Sequence, residues 1–103
     1  MRPGMTETEV ATVARETFAA HGANPLSTII GVGGNGALPH HQTGEAVLQT
    51  GQAVVMDIGA GRDGFSSDIT RMAVIGKAPE GYAEVHAVVE AAVQAAIDVA
   101  RRV

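Results

Sequence analysis

Apolar residues along this chain recur with a helical period at both ends and with a strand period between them. Near the start, Val10, Val13, Ala14 and Phe18 fall at helical spacing. Thr6 and Glu9 open that run as a T-x-x-E capping box, in which the threonine oxygen takes an orphan backbone N–H and the glutamate reaches back to the cap. Met5 and Val10 occupy the two staple positions, and His21-Gly22 ends the helix, with Gly22 suited to a left-handed cap. After Asn24-Pro25, the β-branched run Ser27 to Val32 predicts a short strand. A glycine-rich loop, Gly31 to Gly36, leads into Ala37-Leu38-Pro39-His40-His41, and polar residues follow to a turn at Thr50-Gly51. Ala53 to Ile58 and Phe65 to Ile75 predict two strands of a hairpin, joined through Gly59-Ala60-Gly61-Arg62-Asp63-Gly64. Gly76 to Pro79 closes the second strand. A long helix is predicted from Glu80 to Arg102, with Val85, Val88, Val89, Ala92, Val93, Ala96 and Ala100 as its apolar stripe.

Composition narrows the class. A chain of 103 residues is one domain at most and by itself buries only a modest core. Phe18, Phe65 and Tyr82 are its aromatics. A formal charge of −4 with scattered basic residues argues against a nucleic-acid partner. Without cysteine there is neither a disulfide framework nor a thiolate metal site. No apolar run approaches the roughly 20 residues of a membrane span, and no apolar segment follows Met1-Arg2-Pro3-Gly4 as a signal peptide requires. A soluble, cytoplasmic protein of mixed helix and strand, with no membrane partner, is therefore expected.

The chemistry concentrates in the hairpin. Folded about its glycine-rich turn, the segment puts Asp57 roughly opposite Asp68, and directly opposed residues have Cβ atoms about 4.5–5.5 Å apart. Two carboxylates that close repel, so the pair points to a metal site or to a shared proton. Each aspartate also has a plainer reading, Asp57 as a turn cap and Asp68 as a solvated strand residue. Against this, Ser66 and Thr70 share the face of Asp68, making a polar patch on an otherwise apolar hairpin. Arg71 falls on the other face as structural support. Gly31-Val32-Gly33-Gly34-Asn35-Gly36 fits G-x-G-x-x-G, yet Pro39 follows too soon for the long helix that a dinucleotide site needs. His40 and His41 are either plain loop residues or an imidazole held over a site as proton donor or acceptor. His21 reads as a helix end, His86 as a helix flank, Asp63 as turn, and Glu84, Glu90 and Asp98 as a solvated helix face.

Taken together, MRPGMTETEVA, GGNGALPHH, GQAVVMDIGAG and GFSSDITR resemble the pita-bread metallopeptidases, a family that includes aminopeptidase P, Xaa-Pro dipeptidase and methionine aminopeptidase. The likeness covers nearly the whole chain and leans to the proline-specific branch. It implies an α+β fold with an antiparallel sheet and flanking helices. It implies that Asp57 is a metal ligand, that Asp68 bridges two metals, and that His40 contacts substrate near the scissile bond. The implied cofactors are two divalent ions, manganese first and cobalt or zinc as alternatives, which activate a water and polarise the peptide carbonyl.

The resemblance also implies what this chain does not supply. The family completes its centre with a later histidine and two glutamates from the second half of the fold. Glu80, Glu84, His86 and Glu90 lie on the preceding helix and cannot replace them. Neither glycine nor proline follows Arg102, and Pro3-Gly4 reads like a loop between two elements. Residues 1–103 are therefore expected to form the first pseudo-symmetric half of a pita-bread domain, inactive alone, with a peptide as substrate and a complementary half-domain or second copy as partner. A non-catalytic pita-bread binding module and creatinase-like chemistry are the alternatives. A half-domain is further expected to expose a sheet edge and uncovered apolar surface.

Overall fold

The first helix begins where the capping box places it. Thr6 Oγ1 accepts from the Glu9 N–H at 3.1 Å and the Glu9 carboxylate accepts from the Thr6 N–H at 2.9 Å, opening α1 (Glu7–Ala20). His21 caps its far end, with Nδ1 2.9 Å from the Thr17 carbonyl, and Gly22 follows at φ +76°. The computed structural model describes residues 1–102 and continues with β1 (Asn24–Val32), a 3-10 turn (Gly33–Ala37), β2 (Ala53–Arg62), β3 (Phe65–Ser66), β4 (Ile69–Val74) and α2 (Tyr82–Ala100).

β2 is the central strand. β1 runs antiparallel along one side of it, and β3 and β4 run antiparallel along the other. Among the described residues β1 and β4 pair with no strand but β2; the β1 edge is met instead by side chains, with Ile30 N–H donating to Thr43 and Val32 N–H to Glu7. That edge position explains why β1 starts earlier than the run from Ser27 predicts. Pro25 lacks an N–H but still pairs with Ala60, and the register shifts between Pro25 and Ser27.

One face of the sheet is covered by α1. Ile30, Val32 and Val54 meet Val10 and Ala11 there, with Leu48 and Ile75 completing the core. Leu48 corrects the reading of residues up to Thr50 as merely polar, because its side chain is fully buried. The cause is a backbone strap. Leu48 N–H donates to the Met5 carbonyl at 2.8 Å, Gly4 N–H donates to the Leu48 carbonyl at 2.9 Å, and Thr6 bridges Val47. An apolar groove of about 240 Å³ remains open between α1 and the sheet, lined in part by Met1, Met5, Val13 and Met56.

The last helix is a different matter. α2 starts after Gly81, which adopts φ +80°, and the predicted stripe is present. Yet every residue from Ala83 to Ala100 is exposed, with Val88 at 70% and Val85 at 65%. The apolar stripe of α2 is therefore uncovered among the described residues. No described helix is long and apolar enough to cross a membrane.

Candidate metal centre

The hairpin is tighter than its glycines predict. Only Asp63 and Gly64 form the turn, both left-handed at φ +52° and +83°, as a two-residue hairpin of this hand requires. Gly59, Ala60 and Gly61 stay in β2, and Arg62 pairs with Phe65. This corrects the pairing of the two aspartates. Asp57 lies directly against Thr70 on β4 and against Ile29 on β1, while Asp68 sits diagonally, just ahead of β4.

Asp68 still reaches Asp57, and Gly59 is the reason. Ser67 N–H donates to the Ala60 carbonyl at 2.8 Å, and its hydroxyl oxygen accepts from the Ala60 N–H at 3.1 Å. These bonds draw the Ser67–Asp68 backbone across the aspartate-bearing face, over Gly59. A Cβ at position 59 would overlap the Ser67 carbonyl oxygen. The Asp57 side chain, as a hydrogen-bond partner first and a like charge second, holds the Asp68 carboxyl above its ordinary range, with slight desolvation adding to it. Asp57 is half-buried and Asp68 is exposed. Arg71 lies on the other face, against Met56, and its guanidinium donates to the Thr70 carbonyl at 3.0 Å.

The glycine-rich segment crosses the same sheet face. It is a single 3-10 turn, not the start of a long helix, which agrees with setting aside a dinucleotide site. The turn folds back over Gly31, where a Cβ would stand 3.1 Å from the Asn35 and Gly36 backbone, and Gly36 faces Val55. Val55 and Asp57 share a strand face by alternation. His40 follows in an exposed turn, and His41 closes that turn by donating its N–H to the Leu38 carbonyl at 3.1 Å.

His41 itself is anchored. Its Nε2 lies 2.8 Å from Oε1 of Glu7, whose side chain is 1% exposed. Facing an acceptor, that nitrogen carries the proton. The same Oε1 accepts from the Gly44 N–H at 3.1 Å, and Oε2 accepts from the Val32 N–H at 2.8 Å and from Asn35 Nδ2 at 3.1 Å. Burial pushes the Glu7 carboxyl up, but the bonds from His41, Val32, Asn35 and Gly44 together outweigh it and leave the group below its ordinary value. The sequence reading passed over Glu7. Its only local signal is an acidic residue beside the cap in the first turn, a position that helix-dipole considerations explain without any tertiary role.

The donor chemistry at the aspartates suits a hard divalent cation. A cation between two neighbouring carboxylates would relieve their repulsion, with Asp57 and Asp68 as two of its ligands. Among the described residues no group of three or more His, Cys, Asp or Glu side chains forms a cage, so these two stand as a partial set.

Known proteins share this fold and much of this sequence. In the Xaa-Pro dipeptidase of Pyrococcus furiosus, 34% of 100 aligned residues are identical, covering 95% of this chain and 29% of that protein. The crystal structure of the X-Pro aminopeptidase of Thermotoga maritima superposes with a TM-score of 0.84 at 36% identity, over 89% of this chain and 27% of that one. The prolidase of Thermococcus sibiricus superposes with a TM-score of 0.89 at 31% identity, over 94% of this chain and 27% of that one. The chain thus spans about a quarter of the length of the curated relatives it matches. Its antiparallel sheet with two helices is a part of their pita-bread fold. The sequence profile of the Peptidase_M24 family extends over residues 1–102, across the capping box, the glycine-rich turn and both aspartates, and the chain belongs to metallopeptidase family M24.

Proposed function

We propose that this chain is the metal-ligating first half of a peptidase that hydrolyses the Xaa-Pro bond at a peptide N-terminus, and that it is inactive alone. The side-by-side placement of Asp57 and Asp68 carries the reading. In the complete site they are two ligands of a dinuclear centre, with manganese as the preferred ion because carboxylate and imidazole donors suit it. Such a centre, once bound, supplies an activated water and a polarised carbonyl. The chain's own residues do the rest that lies within reach here. Asp57 and Asp68 fix the donor oxygens on one sheet face, Gly59 admits the backbone that brings them together, and His40 is the imidazole offered to substrate.

Inactivity follows from the donor count, because two carboxylates leave most of a cation's coordination to water and bind it weakly. The exposed stripe of α2 is the surface on which a complementary half-domain or second copy would pack. The test is a peptidase assay with Mn²⁺ on Xaa-Pro dipeptides and on longer peptides with proline second. No turnover is expected from the isolated chain. Turnover that disappears in Asp57→Asn would overturn the inactive half and keep the enzyme; Mn²⁺ binding that is indifferent to Asp57→Asn would overturn the metal site.

A further inference from the structure

The most deeply buried charge in the molecule lies outside the aspartate pair. Glu7 is fully enclosed, and its four partners come from three separate stretches of chain: Val32 at the end of β1, Asn35 in the 3-10 turn, and His41 and Gly44 in the following loop. All four are donors. Only an ionised carboxylate accepts from all of them, two per oxygen. A buried carboxylate held this way costs desolvation, and the fold gains more from merely joining α1 to the sheet by apolar contact. The bonds go instead to both sides of His40. Asn35 lies before it, and His41 is its immediate neighbour. Thr43 ties the loop a second time, accepting from the Ile30 N–H at 2.8 Å.

We propose that Glu7 is a positioning residue for His40, acting through His41. The carboxylate clamps His41 and Gly44 on Oε1 while Oε2 holds Val32 and Asn35. The turn that displays His40 is thereby fixed to the same strand end that carries the 3-10 turn over the aspartate face. Among the described residues the His40 side chain meets no hydrogen-bond partner, and it is exposed, so its placement is inherited from this clamp. The proposal rests on the reading of His40 as the substrate-facing imidazole. A substrate-facing group needs a backbone held to about 0.5 Å, and supporting bonds of this kind supply that.

The satisfiability of the clamp gives a selective test. In Glu7→Gln the amide keeps the shape but brings one acceptor and one donor. Whichever way the amide turns, its NH₂ faces a backbone N–H, of Gly44 or of Val32, that cannot become an acceptor. The substitution therefore breaks one side of the clamp and with it the tie between the His40 loop and the strand end. NMR of the intact chain reads this in Glu7→Gln, His41→Ala and His41→Gln. The first two variants are expected to speed amide exchange across residues 40–44 by about tenfold or more, the factor that loss of one hydrogen bond to a charged group produces. The His40 imidazole resonances are expected to shift with it, while Val54 and Ile58 amides keep their protection. His41→Gln, which restores a donor to Glu7, is expected to return the His40 signals toward wild type. Unchanged His40 signals in a folded Glu7→Gln, or a His41→Gln that behaves like His41→Ala, would overturn the positioning role. The readout needs no metal. Titrating Mn²⁺ into the same samples and following broadening at the Ile58 and Ile69 amides tests the aspartate site separately, so the two readings fail by different signals.

Discussion

Two carboxylate sites in this chain are solved in opposite ways. Glu7 is enclosed and meets donors on every side, whereas Asp57 and Asp68 meet chiefly each other. At Glu7 the hydrogen bonds outweigh the desolvation penalty, so the charged form is preferred. At the aspartates the neighbour is a like charge, which raises the Asp68 pKa instead. The contrast separates a carboxylate whose partners are donors from a pair whose nearest partner is a like charge.

The largest effect is expected at the satisfied site. Glu7→Ala orphans donors from β1, the 3-10 turn and the His41 loop at once, and breaking a buried charged pair costs about 3–5 kcal/mol. Urea denaturation measures it. A loss below 1 kcal/mol would erase the contrast drawn above. Leu48→Ala is a control of similar size without charge, at about 2–5 kcal/mol, because it empties a fully buried position in the strap against α1.

Next comes the device that makes the aspartates neighbours. Gly59→Ala forces the Ser67 carbonyl away and is expected to cost about 1–3 kcal/mol as overpacking does. Its sharper sign is loss of Mn²⁺-induced broadening at Ile58 and Ile69 in a chain that still folds. Broadening as strong as in wild type would show that the close crossing at Gly59 is not what builds the pair.

Stability against pH sets the two sites in opposition. Glu7 has a lowered pKa, so its contribution is complete above the ordinary 4.5 and is lost as pH falls through the lower folded value. Asp68 has a raised pKa, so its contribution is complete below the ordinary 3.8 and is lost as pH rises through the higher folded value. Asp68→Asn is therefore expected to raise Tm at neutral pH without metal and to abolish the further rise that Mn²⁺ gives the wild type. Glu7→Gln is expected to remove the acid-side loss. A neutral-pH Tm in Asp68→Asn below that of wild type would contradict the repulsion argument.

The smallest effect is expected on α2. Val89→Ser changes a residue that is 57% exposed and touches no core, so stability should stay within about 0.5 kcal/mol of wild type. A large loss in sedimentation-verified oligomer, with the monomer unaffected, would instead show that the stripe is covered by a second copy.

Local chemistry made much of this legible beforehand. The capping box at Thr6 and Glu9, the cap at Gly22 and the Asp63-Gly64 turn are contacts between residues close in sequence, so their spacing specifies them. The two aspartates were legible as a pair because pairing Asp57 with Asp68 or with Thr70, two residues apart, leaves both on one face. The register itself was not, because Gly59 and Gly61 look like turn residues until Ser27 of β1 pairs with Gly59, and Asn24 of β1 and Ser66 of β3 pair with Gly61. Leu48 ends a three-residue apolar run, Ala46-Val47-Leu48, too short to show the period of a helix or a strand.

What the sequence alone determined, then, is the set of local elements, the presence of an acidic pair, and the resemblance that assigns chemistry to it. Tertiary structure decided which residues those elements bring together. Glu7 became the fold's buried anchor because residues distant in sequence direct their donors at one point, and no local pattern encodes such convergence. Asp68 met Asp57 because a missing side chain at Gly59 let one backbone cross over another. The apolar period of α2 was fully written in the sequence, but burial needs a second surface, and within residues 1–102 none reaches it.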